Sequence, residues 1–334
     1  MVAGLARRQR ARLMTTREVV LEALRASGAA GVSGQTLATS LGVSRVAVGK
    51  HVGALRAEGY EIGALPGSGY TLLSVPDAPL PREVARLLRP GFWTHLVGGK
   101  ETGSTNEDAR VLARAGAEEG TVVLASRQTA GRGRLGRTWE SPDGGAYFSA
   151  VLRPSVPPAE IASLALAVAL GIAEGLESLG ATPTLKWPND VLLGGGKVAG
   201  VLLEMTAEAD RVDWVVVGVG VNVRRPADQD EREPAPGAAY LRDSVDARVP
   251  EVVAALLDGV ASAYTRWTAS GFAALRGGYE SQLALRDVAV RVSGLDGVVR
   301  AEGMARGVDA DGRLLVESEQ GMVPVVAGEV TLRA

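Results

Sequence analysis

The chain contains no cysteine and only two histidines, His51 and His95. The absence of cysteine excludes disulfides, thiolate metal sites and cysteine nucleophiles, and it is typical of a cytoplasmic protein. Two histidines far apart in the sequence argue against a Ser-His-Asp hydrolase and against a histidine-rich metal site. No apolar run reaches the roughly 18–20 residues of a membrane span, and the longest candidate, residues 161–170, is predicted to be a buried helix. We therefore expect no membrane partner.

Neither positive nor negative charge predominates, because the formal net charge of the 334 residues is only −2. The chain as a whole does not attract nucleic acid, so any DNA contact has to come from a local basic patch. Lysine is scarce among the 36 basic residues, and it occurs only at Lys50, Lys100, Lys186 and Lys197. Arginine is used wherever any positive charge suffices, which makes each lysine a candidate for chemistry that needs an amine.

Four segments of different character follow one another along the chain. Residues 1–14 are basic and are predicted to be disordered, either as a tail that contacts DNA phosphates or as the product of a misassigned start codon. Residues 15–75 show three helical patterns and a hairpin signal. Residues 76–281 alternate β-rich and helical stretches, which predicts an α+β domain with a mostly antiparallel sheet. Residues 282–334 contain alternating valines and regular turns, which predict a small β-barrel as a separate domain.

The three helical patterns and the hairpin of residues 15–75 are typical of a winged helix-turn-helix domain. The third helix carries hydrogen-bonding and basic residues that suit the major groove: Ser44, Arg45, Lys50 and His51. Thr16 can cap the first helix and Ser44 the third, and Gly49 inside the third helix is a weak point. The alternative is a three-helix module that binds another protein.

Residues 128–139 read QTAGRGRLGRTW and form a glycine-rich loop with three arginines. Gly131, Gly133 and Gly136 match the GxGxxG pattern of a dinucleotide-binding turn, but that turn needs an apolar strand before it and a helix after it. Polar residues precede the loop, and Pro142 follows it closely. A flexible loop whose Arg132 and Arg134 fold over a phosphate and bind it bidentately fits better. A solvated surface loop remains the alternative.

A second motif, residues 186–190, reads KWPND and is followed by a glycine turn and Lys197. The turn returns the chain, so Asp190 and Lys197 are predicted to face each other across a hairpin. A cation fixed beside a carboxylate can stabilise charge that develops on a substrate oxygen. Taken alone, such a pair is more often a surface ion pair. Further along, an apolar strand ends at Asn222, either beside a small ligand or as a tight strand end.

Five of these motifs occur in the order found in biotin–protein ligases. They are Ser104-Thr105-Asn106, Gln128 to Arg134, Lys186-Trp-Pro-Asn189-Asp190, Lys197-Val-Ala-Gly200 and Gly218-Val-Gly-Val-Asn222. With its winged helix, the chain resembles bacterial bifunctional ligases that also repress the biotin operon. It departs from them in the basic extension, in Gly49 and in an acidic, proline-rich insert at 226–240.

This resemblance implies a fold and an activity. The fold is α+β, with a class II synthetase-like central domain and an SH3-like C-terminal barrel. The activity is biotin–[acetyl-CoA-carboxylase] ligation: biotin and Mg·ATP give biotinyl-5′-adenylate, and a lysine of the biotin carrier protein then displaces AMP. The implied partners are that carrier, operator DNA and a second copy of the chain when the adenylate is bound.

The resemblance also implies roles for individual residues. Catalysis is expected from Lys197, Arg132, Arg134, Lys186 and Asp190. Biotin or its adenylate is expected to contact these further positions: Ser104, Thr105, Asn106, Gln128, Gly131, Gly133, Trp139, Asn189, Gly200 and Asn222. No dedicated metal ligands are expected, since Mg²⁺ accompanies ATP.

Two rival classes share part of this pattern. A lipoate–protein ligase has the same catalytic architecture, but the complete glycine-arginine loop and the C-terminal barrel argue against it. A ligand-sensing repressor without catalysis would not need Lys197, Arg132 and Asp190.

Overall fold

The computed structural model describes residues 15–65, 69–226, 237–294 and 296–332. The chain divides after Asp77 into two compact units. The basic extension, the tip of the predicted wing at 66–68 and most of the insert at 226–240 lie outside the described residues.

In the described part of the first unit, three helices precede a two-stranded antiparallel sheet. The elements are α1 (Thr16–Ser27), α2 (Gly34–Leu41), α3 (Arg45–Ala57), β1 (Glu61–Leu65) and β2 (Gly69–Ser74). A hydroxyl residue caps each helix, and the first cap is Thr15 rather than Thr16 as the sequence suggested. The caps satisfy N–H groups that would otherwise have no partner at a helix start. The predicted helix-turn-helix with a wing is confirmed.

A mixed sheet forms the centre of the second unit, with seven strands among the described residues. Its strands are β3 (His95–Thr102), β4 (Thr121–Gln128), β5 (Ala146–Leu152), β6 (Thr184–Lys186), β7 (Asp190–Leu193), β8 (Gly196–Ala207) and β9 (Val212–Val221). Their spatial order is β3-β4-β5-β9-β8-β7-β6. The β3–β4 pair is parallel and the other five pairs are antiparallel, as the sequence predicted.

Helices cover this sheet. They are α4 (Pro81–Leu87), α5 (Thr105–Arg114), α6 (Ile161–Ser178), α7 (Val249–Ser270) and α8 (Arg276–Ser281). Helices α6 and α7 pack closely where Gly171 and Gly259 face each other. A Cβ atom built on Gly171 would lie 2.6 Å from the carbonyl oxygen of Gly259, so only glycine permits this approach.

By length and composition alone, the segment Pro158–Ser178 could cross a membrane. It is longer than the apolar run anticipated from the sequence. In the structure 72% of its apolar 18-residue stretch is buried. The predicted buried helix is therefore confirmed.

A five-stranded antiparallel sheet follows among the described C-terminal residues. Its strands are β10 (Val288–Ser293), β11 (Val299–Val308), β12 (Leu314–Ser318), β13 (Gly321–Val325) and β14 (Glu329–Leu332). Their spatial order is β13-β12-β11-β10-β14. The α+β fold with a C-terminal β region is thus confirmed. Residues of this sheet such as Val290 and Val316 belong to the same apolar core as Trp187, whose Nε1 donates to Gly312 O at 3.0 Å. This shared core holds β14 at the edge of the site described below.

Candidate functional site

A pocket opens where β8 and β9 meet the start of α5, the loop after β4, the β6–β7 turn and β14. Thirteen of the residues selected from the sequence line it: Ser104, Thr105, Asn106, Gln128, Arg132, Gly133, Arg134, Trp139, Lys186, Asn189, Asp190, Lys197 and Gly200. They come from segments up to about a hundred residues apart, so the tertiary fold assembles one site from all the motifs.

Two selected residues do not line this pocket. Gly131 is buried inside the loop, where its carbonyl accepts a hydrogen bond from Trp139 N at 3.0 Å. Asn222 lines a neighbouring cavity together with Tyr147 and Arg224. Its Nδ2 donates to Lys197 O at 3.2 Å. Thr138, Trp139 and Lys197 line both cavities, so these three residues form the boundary between them.

Lys197 and Asp190 form an ion pair, with Nζ 2.7 Å from Oδ1. They lie on the hairpin of β7 and β8, whose turn contains Gly194 and Gly195 at positive φ. The Lys197 ammonium also lies 5.0 Å from the ring centroid of Trp139. The ammonium therefore lies between a carboxylate on one side and an aromatic face on the other, and both attract a cation. The predicted facing pair is present, and it lies at the pocket rather than on an open surface.

Glycines provide the seat of the Trp139 indole. A Cβ atom on Gly200 would lie 2.9 Å from its Cζ3, and one on Gly220 would overlap its Nε1. Any side chain at either position would therefore displace the indole. Its Nε1 has no hydrogen-bond partner among the described residues, which leaves a donor at the boundary of the two cavities.

The arginine loop contains a short 3₁₀ turn, Arg134–Gly136, in which Leu135 has φ 62°. A strand leads into it, but no long helix follows, so this is not a dinucleotide-binding turn. Arg134 donates to Asn189 Oδ1 at 2.9 Å and to Gly328 O at 3.4 Å. Burial lowers the pKa of its guanidinium, and the charge of Asp190 opposes that shift.

Arg137 in the same loop donates to Glu329 Oε2 at 2.5 Å, at the start of β14. This hydrogen bond, helped by the charges of Arg137 and Lys186, lowers the pKa of the Glu329 carboxyl group. The loop is therefore connected to the C-terminal sheet by a charged contact. Sequence reasoning missed both residues, because nothing local to residue 329 indicates a partner 192 positions away.

Arg132 is held differently. Its NH1 lies 3.7 Å from Glu107 Oε2 and 3.9 Å from Glu204 Oε1, and its side chain is half exposed. Arg110 contacts the same two carboxylates. These distances exceed the hydrogen-bond range, so Arg132 can leave its acidic neighbours for a phosphate at little cost.

At the opposite end of the pocket, Gln128 binds the start of α5. Its Oε1 accepts from Thr105 N at 2.8 Å and lies 3.0 Å from Thr105 Oγ1, while its Nε2 donates to Ser141 Oγ at 2.8 Å. Ser104, just before α5, is buried and lines the same end of the pocket.

On α3, Ser44 accepts a hydrogen bond from Ala47 N at 3.1 Å, so its hydroxyl serves as the helix cap. Arg45 and Lys50 are exposed, and His51 is half-buried. Sequence reasoning missed Val46, which is 71% exposed at the start of this helix. An exposed apolar residue there can contact the methyl group of thymine.

Comparison with known proteins agrees with this arrangement. Residues 99–222 match the biotin/lipoate A/B protein ligase family, residues 16–71 match an HTH domain, and residues 287–333 match the biotin protein ligase C-terminal domain. The fold and the site thus define a ligase of the biotin/lipoate class with a helix-turn-helix domain.

Within that class, the chain belongs to the biotin protein ligase family. It is 34% identical to the bifunctional ligase/repressor BirA of Bacillus spizizenii, over 95% of this chain and 99% of that one. It is 37% identical to the biotin–[acetyl-CoA-carboxylase] ligase of Paracoccus denitrificans, over 69% of this chain and 97% of that one. The biotin protein ligase of Aquifex aeolicus, solved with biotin and ATP, has a TM-score of 0.61 at 31% identity and covers 72% of this chain and 99% of its own.

Proposed function

We propose that the protein attaches biotin to a lysine of the biotin carrier protein of acetyl-CoA carboxylase, and that it represses biotin genes when the adenylate is bound. The observation that supports the ligase activity best is the Lys197–Asp190 ion pair at 2.7 Å. This pair lies where the two cavities meet, so Lys197 contacts whatever reacts between them.

In the first step, an oxygen of the biotin carboxylate attacks the α-phosphorus of Mg·ATP. The bond to pyrophosphate breaks, and the product is biotinyl-5′-adenylate. Negative charge grows on the oxygens between the substrates, where the Lys197 ammonium stabilises it. Mg²⁺ enters as part of the nucleotide substrate, because it usually binds through phosphates and few protein carboxylates.

In the second step, the amine of the carrier lysine attacks the acyl carbon, and AMP leaves with the electron pair of the broken C–O bond. The attacking lysine has to lose a proton on the way. Asp190 and Lys186 line the pocket beside Lys197. We assign them to the electrostatic environment that the carrier amine enters. No enzyme nucleophile is needed in either step, consistent with the absence of cysteine.

The two cavities suit the two substrates. Ser104, Thr105, Asn106 and Gln128 line the end of the first pocket, and we assign them to the ureido ring of biotin. Asn222 lines the second cavity, which we assign to the nucleotide. Trp139 separates the two cavities. We assign Gly131 and Gly133 to the shape of the arginine loop, and Asn189 and Gly200 to the pocket wall near Trp139.

The arginine loop is assigned to closing the site. Within the part of the chain that the structure describes, the Arg132 side chain has ion-pair contacts of 3.7 and 3.9 Å to two carboxylates, and a phosphate can replace them. Arg134 already lies in the pocket. A closed loop excludes water, which would otherwise hydrolyse the mixed anhydride.

Repression is assigned to the first unit, with Arg45, Lys50 and His51 on α3 facing operator DNA and Ser44 fixing the start of that helix. One such module buries little surface, so a two-fold dimer on a palindromic site is expected. Strand β3 is the edge of the central sheet that we assign to dimerisation. Within the described residues it pairs with β4 alone, and its Val97 is 41% exposed. The protein is expected to work in the cytoplasm.

The test is incubation of the protein with labelled biotin, ATP and a carrier domain. Label is expected on the carrier lysine, with pyrophosphate released once per transfer. Equal or greater turnover with lipoate would overturn the biotin assignment in favour of a lipoate ligase. Absence of pyrophosphate release with either acid would leave only a ligand-sensing repressor.

A further inference from the structure

A buried serine lies behind the biotin end of the pocket. Ser149 is on β5 and is 0% exposed. Its Oγ lies 2.8 Å from Thr105 Oγ1 and 2.6 Å from Asn106 Oδ1. The other residues of β5 are also buried, and most of them are apolar, so the hydroxyl is an exception in this strand. A polar group in such a position is normally retained for its hydrogen bonds.

The direction of these hydrogen bonds follows from the protons available. A hydroxyl has one proton, so Ser149 can bond both neighbours only by donating to one and accepting from the other. Asn106 Nδ2 donates to Glu204 Oε2 at 2.9 Å, so the atom that faces Ser149 is the amide oxygen, which can only accept. Ser149 therefore donates to Asn106 Oδ1. The Thr105 hydroxyl donates to Gln128 Oε1 at 3.0 Å, which can also only accept, so Thr105 faces Ser149 Oγ with a lone pair.

This arrangement fixes the Asn106 amide, which lines the pocket. Both polar atoms of the amide are engaged on the protein side, Oδ1 with Ser149 at 2.6 Å and Nδ2 with Glu204 at 2.9 Å. The amide is therefore held in one orientation at the end of the pocket that we assign to the ureido ring.

We propose that Ser149 is a positioning residue for the ureido ring: by donating to Asn106 Oδ1 it holds the amide that lines the pocket in one orientation. This inference rests on the proposed biotin ligase function. It assigns part of the biotin affinity to a residue that does not line the pocket.

The experiment compares Ser149→Ala and Ser149→Thr with the parent. Without the serine, Asn106 Oδ1 loses its donor and the amide can turn at the pocket wall. We expect Ser149→Ala to raise the KM for biotin, and the Kd for biotin measured by calorimetry without ATP, about tenfold, as for loss of one hydrogen bond. The KM for ATP should stay within about twofold. Ser149→Thr keeps the hydroxyl and should restore most of the affinity.

Ser163→Ala is the matched control. Ser163 is also a buried serine of the same unit, its Oγ accepts from Trp267 Nε1 at 2.9 Å and donates to Glu160 O at 2.8 Å, and it does not line the pocket. Both variants remove a buried hydroxyl that contacts two partners, so both should lose similar stability in thermal unfolding. Only Ser149→Ala should change the KM for biotin.

The outcomes separate this inference from the proposed function. Parent-like biotin KM and Kd in Ser149→Ala overturn the positioning role, as does an equal rise in the KM for ATP or the same rise in Ser163→Ala. Failure of the parent protein itself to release pyrophosphate with biotin would instead overturn the proposed function.

Discussion

Asp190 and Lys197 form a 2.7 Å ion pair across the β7–β8 hairpin, at the boundary of two cavities. The pair places one fixed positive charge where the carboxylate and the α-phosphate are proposed to meet. Both side chains remain partly exposed to solvent, and ion pairs that water screens contribute little to stability, so we expect this one to matter mainly for the reaction.

Lys197→Met should slow adenylate formation about 100- to 1,000-fold, since it removes one preorganised charge from the transition state. Pyrophosphate release with saturating biotin and ATP measures this step. Lys100→Met, on an exposed position of β3, is the control and should release pyrophosphate at the parent rate. A parent-like rate in Lys197→Met would return the pair to a structural role.

Arg132→Gly should shorten the time for which biotinyl-adenylate stays bound, because the loop loses the guanidinium that is free to move onto the phosphate. Loss of labelled adenylate from the isolated complex gives the rate. Arg127→Gly removes an exposed arginine whose only ion pair within the described residues is a 3.5 Å contact to Glu101, and it should have no effect. Equal retention times in all three proteins would show that Arg132 is not part of the closure.

The Arg137–Glu329 contact should protect the loop against hydrogen exchange in a pH-dependent way. The pKa of Glu329 is lowered in the folded protein, so its contribution is present above the ordinary glutamate value of about 4.3. It is lost as the pH falls through the lowered pKa. Amide protection of residues 132–138 should therefore persist at pH 5 and decline only below that ordinary value.

Glu329→Gln should lack this protection at every pH, whereas Glu319→Gln, at an exposed turn position of the same sheet, should behave like the parent. If Glu329→Gln shows the parent's protection at neutral pH, the contact does not hold the loop.

Lys50→Ala should weaken operator binding in the presence of biotin and ATP, and it should lower the dependence of log K on log salt by about one phosphate contact. Binding is measured by fluorescence anisotropy over a range of salt concentrations, with sedimentation in parallel. Both DNA affinity and sedimentation should increase when biotin and ATP are added. No change in either quantity on adding them would mean that α3 is uncoupled from the ligase site.

Gly171→Ala should destabilise the second unit by about 1–3 kcal/mol, because the new Cβ atom would lie 2.6 Å from Gly259 O in the α6–α7 contact. Gly277→Ala, in α8, places a Cβ atom with nothing within 4 Å and should cost far less. Denaturant unfolding of both variants decides the matter, and equal stabilities would mean that the two helices can move apart.

Local patterns predicted much of the fold and part of the site. The three helices of the first unit, their serine and threonine caps and the Asp190–Lys197 pair all depend on residues within about eight positions of one another. Their hydrogen bonds and turns are available to a short segment of chain. The one-residue error at the first cap arose because Thr15 and Thr16 are adjacent, and only Thr15 has Glu18 at the spacing of a capping box.

Contacts across long sequence separations could not be predicted in this way. Ser149 lies among apolar strand residues, and its two partners are 44 and 43 positions away. Glu329 looked like an ordinary exposed strand residue, because its link to Arg137 depends on where the C-terminal sheet docks. Gly200 and Gly220 lie against Trp139 only once two strands and the arginine loop are packed together.

By itself, the sequence determined which groups are present: an arginine-rich loop, a lysine and a carboxylate on one hairpin, and a capped basic helix, with no thiol. The tertiary structure decided which of these groups meet and in which state. It placed Lys197 between two cavities, left Arg132 loosely held, tied Arg137 to β14 and fixed the Asn106 amide through Ser149. The physical reason is range: caps and turns are satisfied within a few residues, whereas burial and hydrogen-bond direction depend on distant segments that only packing brings together.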